Sequence, residues 1–221
     1  MSVAVTTVVR MGIKGFEGRL ERAVEGTFSR LFRSGLSPVE FGRKLVREMD
    51  ANRTVGVDGR TIVQLVAARH LGVDPAVIEI DRADRGKPRL GGAPSPFAFN
   101  LSDADDHVAA AFGLGLEIGV DIERADRRTV EPERFARRVL SVAERAAIEG
   151  LGGDALDRAL IRMWTRKEAV LKAAGHGLRR ELADIDTVAD VVMLDGSPWN
   201  CWTTNWRDLV MSVAWGQLPT R

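Results

Sequence analysis

The sequence predicts an α+β fold, with strands and helices in irregular alternation after an amphipathic helical pair. Three observations carry this expectation. Gly119-Val120-Asp121-Ile122-Glu123 alternates apolar and acidic side chains with the period of a strand. Residues 97–101 and 108–112 alternate in the same way on either side of an aspartate-rich turn, so they read as neighbouring strands. Apolar residues return at helical spacing in the first 50 residues and again over about 155–174.

Residues 1–10 are a β-prone leader. Phe16, Leu20, Val24, Phe28 and Leu31 then form one helical face, with Arg19, Glu21, Arg22 and Glu25 on the other, and Gly35 ends the helix. Ser37-Pro38-Val39-Glu40 reads as a capping box with proline at the first helical position, and the helix it opens buries Phe41, Leu45 and Met49. A third helix is expected over 61–71 and is broken by Asp74-Pro75. Residues 77–80 read as a strand, followed by a basic loop from Arg82 to Arg89. After Glu123 a charged loop leads to a helix carrying Phe135 and Val139. Ser141-Val142-Ala143-Glu144 is a second capping box, and the long helix over about 155–174 stops at Gly175 and Gly177. Residues 185–194, 199–204 and 209–215 read as closing strands, with Trp202, Trp206 and Trp215 as sheet packing.

The chain has 221 residues, 45% hydrophobic and 29% charged, which suits a globular protein with a real core. No apolar run approaches the ~20 residues that span a bilayer, and no leader pattern is visible, so a cytoplasmic location and no membrane partner are expected. Cys201 is a lone cysteine, which excludes an internal disulfide framework. His70, His107 and His176 lack zinc spacing. The net charge is +1, with eleven basic and seven acidic residues in 1–60. That asymmetry suggests a boundary near residue 60, between a 1–60 helical segment and a 61–221 domain. It is too mild for a nucleic-acid partner.

The chemistry is concentrated in two short stretches. Along the strand, Asp121 and Glu123 share a face about 7 Å apart. On the long helix, Glu168 and Lys172 share a face at i,i+4. Three carboxylates and a lysine can thus converge on a solvent-filled cleft, giving a hard oxygen site for Mg²⁺ beside a cation for phosphate.

Together these stretches resemble the two signature motifs of the 4′-phosphopantetheinyl transferase superfamily, (I/V)-G-(V/I)-D-(I/L)-E and W-(S/T/C)-x-K-E-(A/S)-x-x-K. Gly119 to Glu123 matches the first and Trp164 to Lys172 the second. The resemblance extends over about 64–215 and implies a fold of two similar α/β halves. It implies transfer of the phosphopantetheine arm of coenzyme A, as co-substrate, to a serine of an apo acyl or peptidyl carrier protein, with release of 3′,5′-ADP. It implies Asp121, Glu123 and Glu168 as Mg²⁺ ligands, Glu168 as the base and Lys172 at the leaving phosphate. The family's G-K-P loop is matched by Gly86, Lys87 and Pro88, implying contact with the nucleotide end of coenzyme A. Phe99, Asn100, Leu101, Ser102 and Val108 match a further segment, in which Ser102 and the next position serve the coenzyme. That next position is a histidine in the family and Asp103 here, a carboxylate that would repel phosphate. Arg53 and Arg60 align with basic positions for the 3′-phosphate. Residues 11–61 resemble instead the N-terminal domain of bacterial forkhead-associated (FHA) proteins, which implies no catalytic residue. Two other functions compete with the transferase: a non-catalytic interaction or signalling hybrid with a degenerate transferase domain, and a nuclease-like Mg²⁺ enzyme. The second is disfavoured because no basic, aromatic-rich face is visible.

Overall fold

The structure is a computed structural model that describes residues 6–10, 54–55, 59–82, 87–92, 96–105, 107–177 and 180–217. The expected helical pair and its capping box lie outside these residues, as do Arg53 and Gly86. In chain order the elements are β1 (Thr6–Arg10), β2 (Thr54–Val55), α1 (Gly59–Leu71), β3 (Ile80–Arg82), β4 (Pro88–Leu90), β5 (Phe97–Ala104), β6 (His107–Leu114) and β7 (Glu117–Arg124). They continue with α2 (Pro132–Val139), α3 (Val142–Ala147), α4 (Gly153–Ala174), β8 (Val191–Leu194), β9 (Ser197–Trp206) and β10 (Leu209–Gly216). The fold is therefore α+β, as expected. Two local expectations fail. Of residues 185–194 only Val191–Leu194 form a strand, preceded by a 3₁₀ turn at Leu182–Asp184. Residues 77–80 are not a strand: Asp74 caps a 3₁₀ turn at Pro75–Val77 through the Ala76 amide, and extended pairing begins only at Ile80. Proline at the first helical position and an Asx cap together outweigh the β-branched run that follows.

Two four-stranded sheets form the frame, ordered β2-β1-β6-β5 and β7-β10-β9-β8. The first sheet draws β1 and β2 from before residue 60 and pairs β1 antiparallel to β6, from Thr6 opposite Ala111 to Arg10 opposite His107. β5 and β7 are sheet edges that lie against each other without a shared ladder. Side chains take the ladder's place. The Val120 amide donates to Asn100 Oδ1 at 2.9 Å, and the Ile122 amide to Ser102 Oγ at 3.3 Å. Buried backbone donors need partners, so two polar residues of β5 stitch the sheets together.

Strand parity on β7 sets up everything that follows. Ile118, Val120 and Ile122 point into one core with Phe99, Phe112, Met211 and Val213. Fully burying each such side chain contributes about 2 kcal/mol. Trp206 and Trp215 are buried in the same core, and Trp202 packs against it. The odd positions, Gly119, Asp121 and Glu123, face α4. The αL cap at Gly175, φ +73°, ends α4 with its amide bonded to the last-turn carbonyls of Leu171 and Lys172.

Gly119 is required by contact rather than by backbone angle. A Cβ there would sit 2.1 Å from the Ala169 carbonyl oxygen and 2.4 Å from the Ala173 nitrogen. Both are backbone atoms of α4, so no rotamer change relieves the clash. Gly119→Ala is expected to push the helix off the strand and lower stability by about 3 kcal/mol. Chemical denaturation checks this, and an unchanged midpoint would mean that the helix and strand are less tightly packed.

Candidate functional site

α4 lies across β7 so closely that its inward residues meet the odd side chains of the strand. Lys172 Nζ donates to Asp121 Oδ1 at 2.7 Å, to Ser102 Oγ at 3.0 Å and to the Val120 carbonyl at 3.2 Å. An ammonium has three hydrogens, and all are engaged. Ser102 Oγ donates to Asp121 Oδ1 at 3.0 Å. Asp121 is thus fully partnered on one oxygen and not on the other. Asp121 Oδ2 and Glu168 Oε1 are buried and accept no hydrogen bond.

The setting is drier than the expected open cleft. Asp121 is 5% exposed and Glu168 9%. Burial raises the Asp121 carboxyl above its usual range, against the pull of Lys172. Glu168 is pushed up to about 7, first by burial and then by the Asp121 charge, with Lys172 opposing. Two buried acceptor oxygens without donors, on carboxylates that repel each other, fit a hard cation that would use both. Asp121 and Glu168 would hold it. The third expected ligand, Glu123, adds its charge to both Asp121 and Glu168 and has partners of its own. Glu123 Oε1 accepts from Arg127 at 2.6 Å and from the Trp164 indole at 3.2 Å. Among the described residues no three His, Cys, Asp or Glu side chains are drawn into one cage. Beside Glu123 opens a cavity of about 260 Å³ between Val130, Phe135, Ile161 and Trp164, with Arg127, Arg128 and Thr129 completing its lining.

Lys87 is buried and braced: Nζ donates to Glu117 at 2.6 Å and to the Ala173 carbonyl at 2.9 Å. Burial lowers its pKa while Glu117 opposes. Pro88 opens β4, Asp103 is exposed near the end of β5, and Arg60 is exposed in the first turn of α1.

Sequence reasoning missed the supports. Trp164 precedes Glu168 by four residues, so its place above Glu123 had a signal in helical spacing. Lys167 had none, because nothing local marks a lysine as buried. It is 0% exposed and pairs with Glu144 at 2.7 Å while donating to the carbonyls of Leu182 and Ile185. Glu144 in turn accepts from the Ser141 amide, completing the expected capping box, and from the Thr187 amide and hydroxyl. Arg166, also buried, donates to the carbonyls of Thr187 and Ala189. These cations clamp α4 to the segment 182–190.

Two predictions arise here. Lys167→Ala leaves the buried Glu144 carboxylate without its counter-ion and should cost about 3–5 kcal/mol. Thermal melting reads this, and a loss under 1 kcal/mol would contradict the buried pair. The second concerns pH. Glu168 binds its proton more tightly folded than unfolded, so its contribution to stability is complete below about pH 4.5 and is lost as pH rises through about 7. The metal-free protein should therefore lose about 3 kcal/mol from this group across that window, and Glu168→Gln should flatten the slope. Urea midpoints near pH 5 and pH 7.5 for both proteins check it.

Comparison with known proteins reveals two likenesses. The model of the 4′-phosphopantetheinyl transferase superfamily matches residues 117–211, and that of the FhaA N-terminal domain matches residues 13–65. The 4′-phosphopantetheinyl transferase HetI of Nostoc sp. is 35% identical over 124 residues, covering 55% of this chain and 52% of that protein. A phosphopantetheinyl transferase of Thraustochytrium sp. is 33% identical over 168 residues, covering 69% and 58%. The 4′-phosphopantetheinyl transferase Sfp of Bacillus subtilis is 28% identical over 161 residues, covering 72% and 69%. The chain thus spans little more than half the length of the first two of these relatives.

Proposed function

We propose that this chain, which carries the 4′-phosphopantetheinyl transferase superfamily segment at residues 117–211, is a holo-[carrier protein] synthase. In this reading it moves the phosphopantetheine arm of coenzyme A to a serine of an apo acyl or peptidyl carrier protein. The serine oxygen bonds to the phosphorus bearing the arm, the pyrophosphate bond to that phosphorus breaks, and 3′,5′-ADP leaves. The serine proton goes to Glu168. The observation that carries the reading is the pair of buried acceptor oxygens without donors, Asp121 Oδ2 and Glu168 Oε1, beside the Lys172 ammonium. The names of the relatives support the same reaction class.

Phosphoryl transfer asks the protein for positioning and charge more than for covalent chemistry. Mg²⁺, when bound by Asp121 and Glu168, would neutralise charge on the pyrophosphate. Without a cation burial pushes the Glu168 carboxyl up to about 7; with the cation bound it would be ionised and would take the serine proton directly or through a water. Lys172 supplies fixed positive charge for the developing phosphate, exchanging one of its three internal bonds for the ligand. The cavity beside Glu123, walled by Phe135, Ile161 and Trp164 and edged by Arg127 and Arg128, would take the arm in this reading. Cys201 is buried with its thiol pushed up to about 11, so no covalent enzyme intermediate is called for there. Among the described residues no helix is long and apolar enough to cross a membrane.

Exposed Asp103 is the one observation that favours the non-catalytic alternative, since it stands where the family places a histidine for phosphate. Mass spectrometry of an apo carrier protein incubated with coenzyme A and Mg²⁺ separates the two. The expected result is a gain of the phosphopantetheine mass, lost by at least a hundredfold in rate for Asp121→Ala and Glu168→Gln, because metal-assisted charge stabilisation is worth several kcal/mol. No mass gain with the unaltered chain leaves the interaction reading. A mass gain at the full rate by either variant overturns the acid pair as the active site.

A further inference from the structure

We infer that Ser102 is a positioning residue, reaching from the first sheet into the site of the second to set which oxygen of Asp121 is left free. This rests on the reading proposed above. Ser102 is 7% exposed on β5, whereas Asp121 and Lys172 belong to β7 and α4. A serine hydroxyl offers one hydrogen and two lone pairs. Two of its three neighbours, Lys172 Nζ at 3.0 Å and the Ile122 amide at 3.3 Å, can only donate to it. Its hydrogen is therefore committed to Asp121 Oδ1, 3.0 Å away. With Lys172 Nζ at 2.7 Å on the same oxygen, Oδ1 is saturated and the carboxylate plane is fixed. Oδ2 is left without a donor and available to a cation.

As a positioning residue Ser102 need not touch the transferred group. It acts through Asp121 and Lys172, and because it also accepts the Ile122 amide, it ties the geometry of the site to the joint between the sheets. Without the hydroxyl, Lys172 and the Ile122 amide would each lose an acceptor and Asp121 would lose a donor. The carboxylate would then be free to rotate and offer either oxygen to Lys172.

Three measurements on the full chain test this, with circular dichroism as the check on folding. In a melting cycle with metal chelated, Ser102→Ala and Lys172→Met should each lower the melting temperature, and the double variant should lose clearly less than the sum. Strict additivity would overturn the contact. In a Mn²⁺ titration without coenzyme A, Ser102→Ala should bind about tenfold more weakly, while Ser102→Thr, which keeps the hydroxyl, stays near the unaltered chain. Equal affinity for all three would overturn the positioning role. In turnover, Ser102→Ala should lower kcat with little change in KM for coenzyme A. A raised KM with kcat intact would make the hydroxyl a coenzyme contact instead. An unaltered chain that neither binds Mn²⁺ nor turns over sinks the transferase reading, and the melting cycle alone then decides the contact.

Discussion

The close approach of one helix to one strand underlies the site. At Gly119 the backbone of α4 rests on the backbone of β7, with room for nothing larger than a hydrogen. That contact fixes the height of the helix over the sheet. It also fixes its rotation, because Thr165 locks to Ser212 of β10 at 2.9 Å and the Ser212 hydroxyl passes the bond on to Thr203 at 2.8 Å. With height and rotation set, the i,i+4 pair Glu168 and Lys172 has one place to go, above Asp121. The glycine of the first motif and the small residues of the second are thus two halves of one packing requirement.

A second constraint is that the site spans two sheets which share no ladder. Asn100 and Ser102 of β5 provide acceptors to amides of β7, and Lys87, ahead of β4, reaches Glu117 and the last turn of α4. Polar side chains are costly joints unless every group is satisfied. Here the joint and the site share atoms, since Ser102 Oγ serves both. A disturbance between the sheets therefore reaches Asp121 directly.

Particular residues show how far the sequence could be read. Alternation placed Ile118, Val120 and Ile122 in the core and Asp121 on the opposite face. Spacing placed Glu168 beside Lys172, and the Ser141–Glu144 capping box formed with both of its bonds. These are local periodicities, which a single chain displays. The dryness of Asp121, the holding of Glu123 by Trp164, and the bracing of Lys87 by Glu117 depend on residues 19 or more positions away, brought close by the sheets. The 3₁₀ turn at Pro75–Val77 displaces the start of the strand expected over 77–80 for a local reason: the Asp74 cap and the proline outweigh the β-branched Val77 and Ile78.

The contrast between two acid–lysine pairs on one helix separates structure from chemistry. Lys167 and Glu144 are both 0% exposed, and each Glu144 oxygen has two donors: Thr187 amide and hydroxyl on one, Ser141 amide and Lys167 on the other. That pair is closed, and closure is what makes a buried ion pair tolerable. Five residues on, Lys172 meets Asp121 with the same 2.7 Å separation, yet one Asp121 oxygen and one Glu168 oxygen have no donor. Folding stability alone would favour filling or removing those acceptors, since each unsatisfied buried group costs about 1–3 kcal/mol. A chain that satisfies every oxygen at Glu144 clearly has the means to do so. Leaving two open at Asp121 and Glu168, on the face held most rigidly by Gly119, is what a site prepared for a cation looks like before the cation arrives.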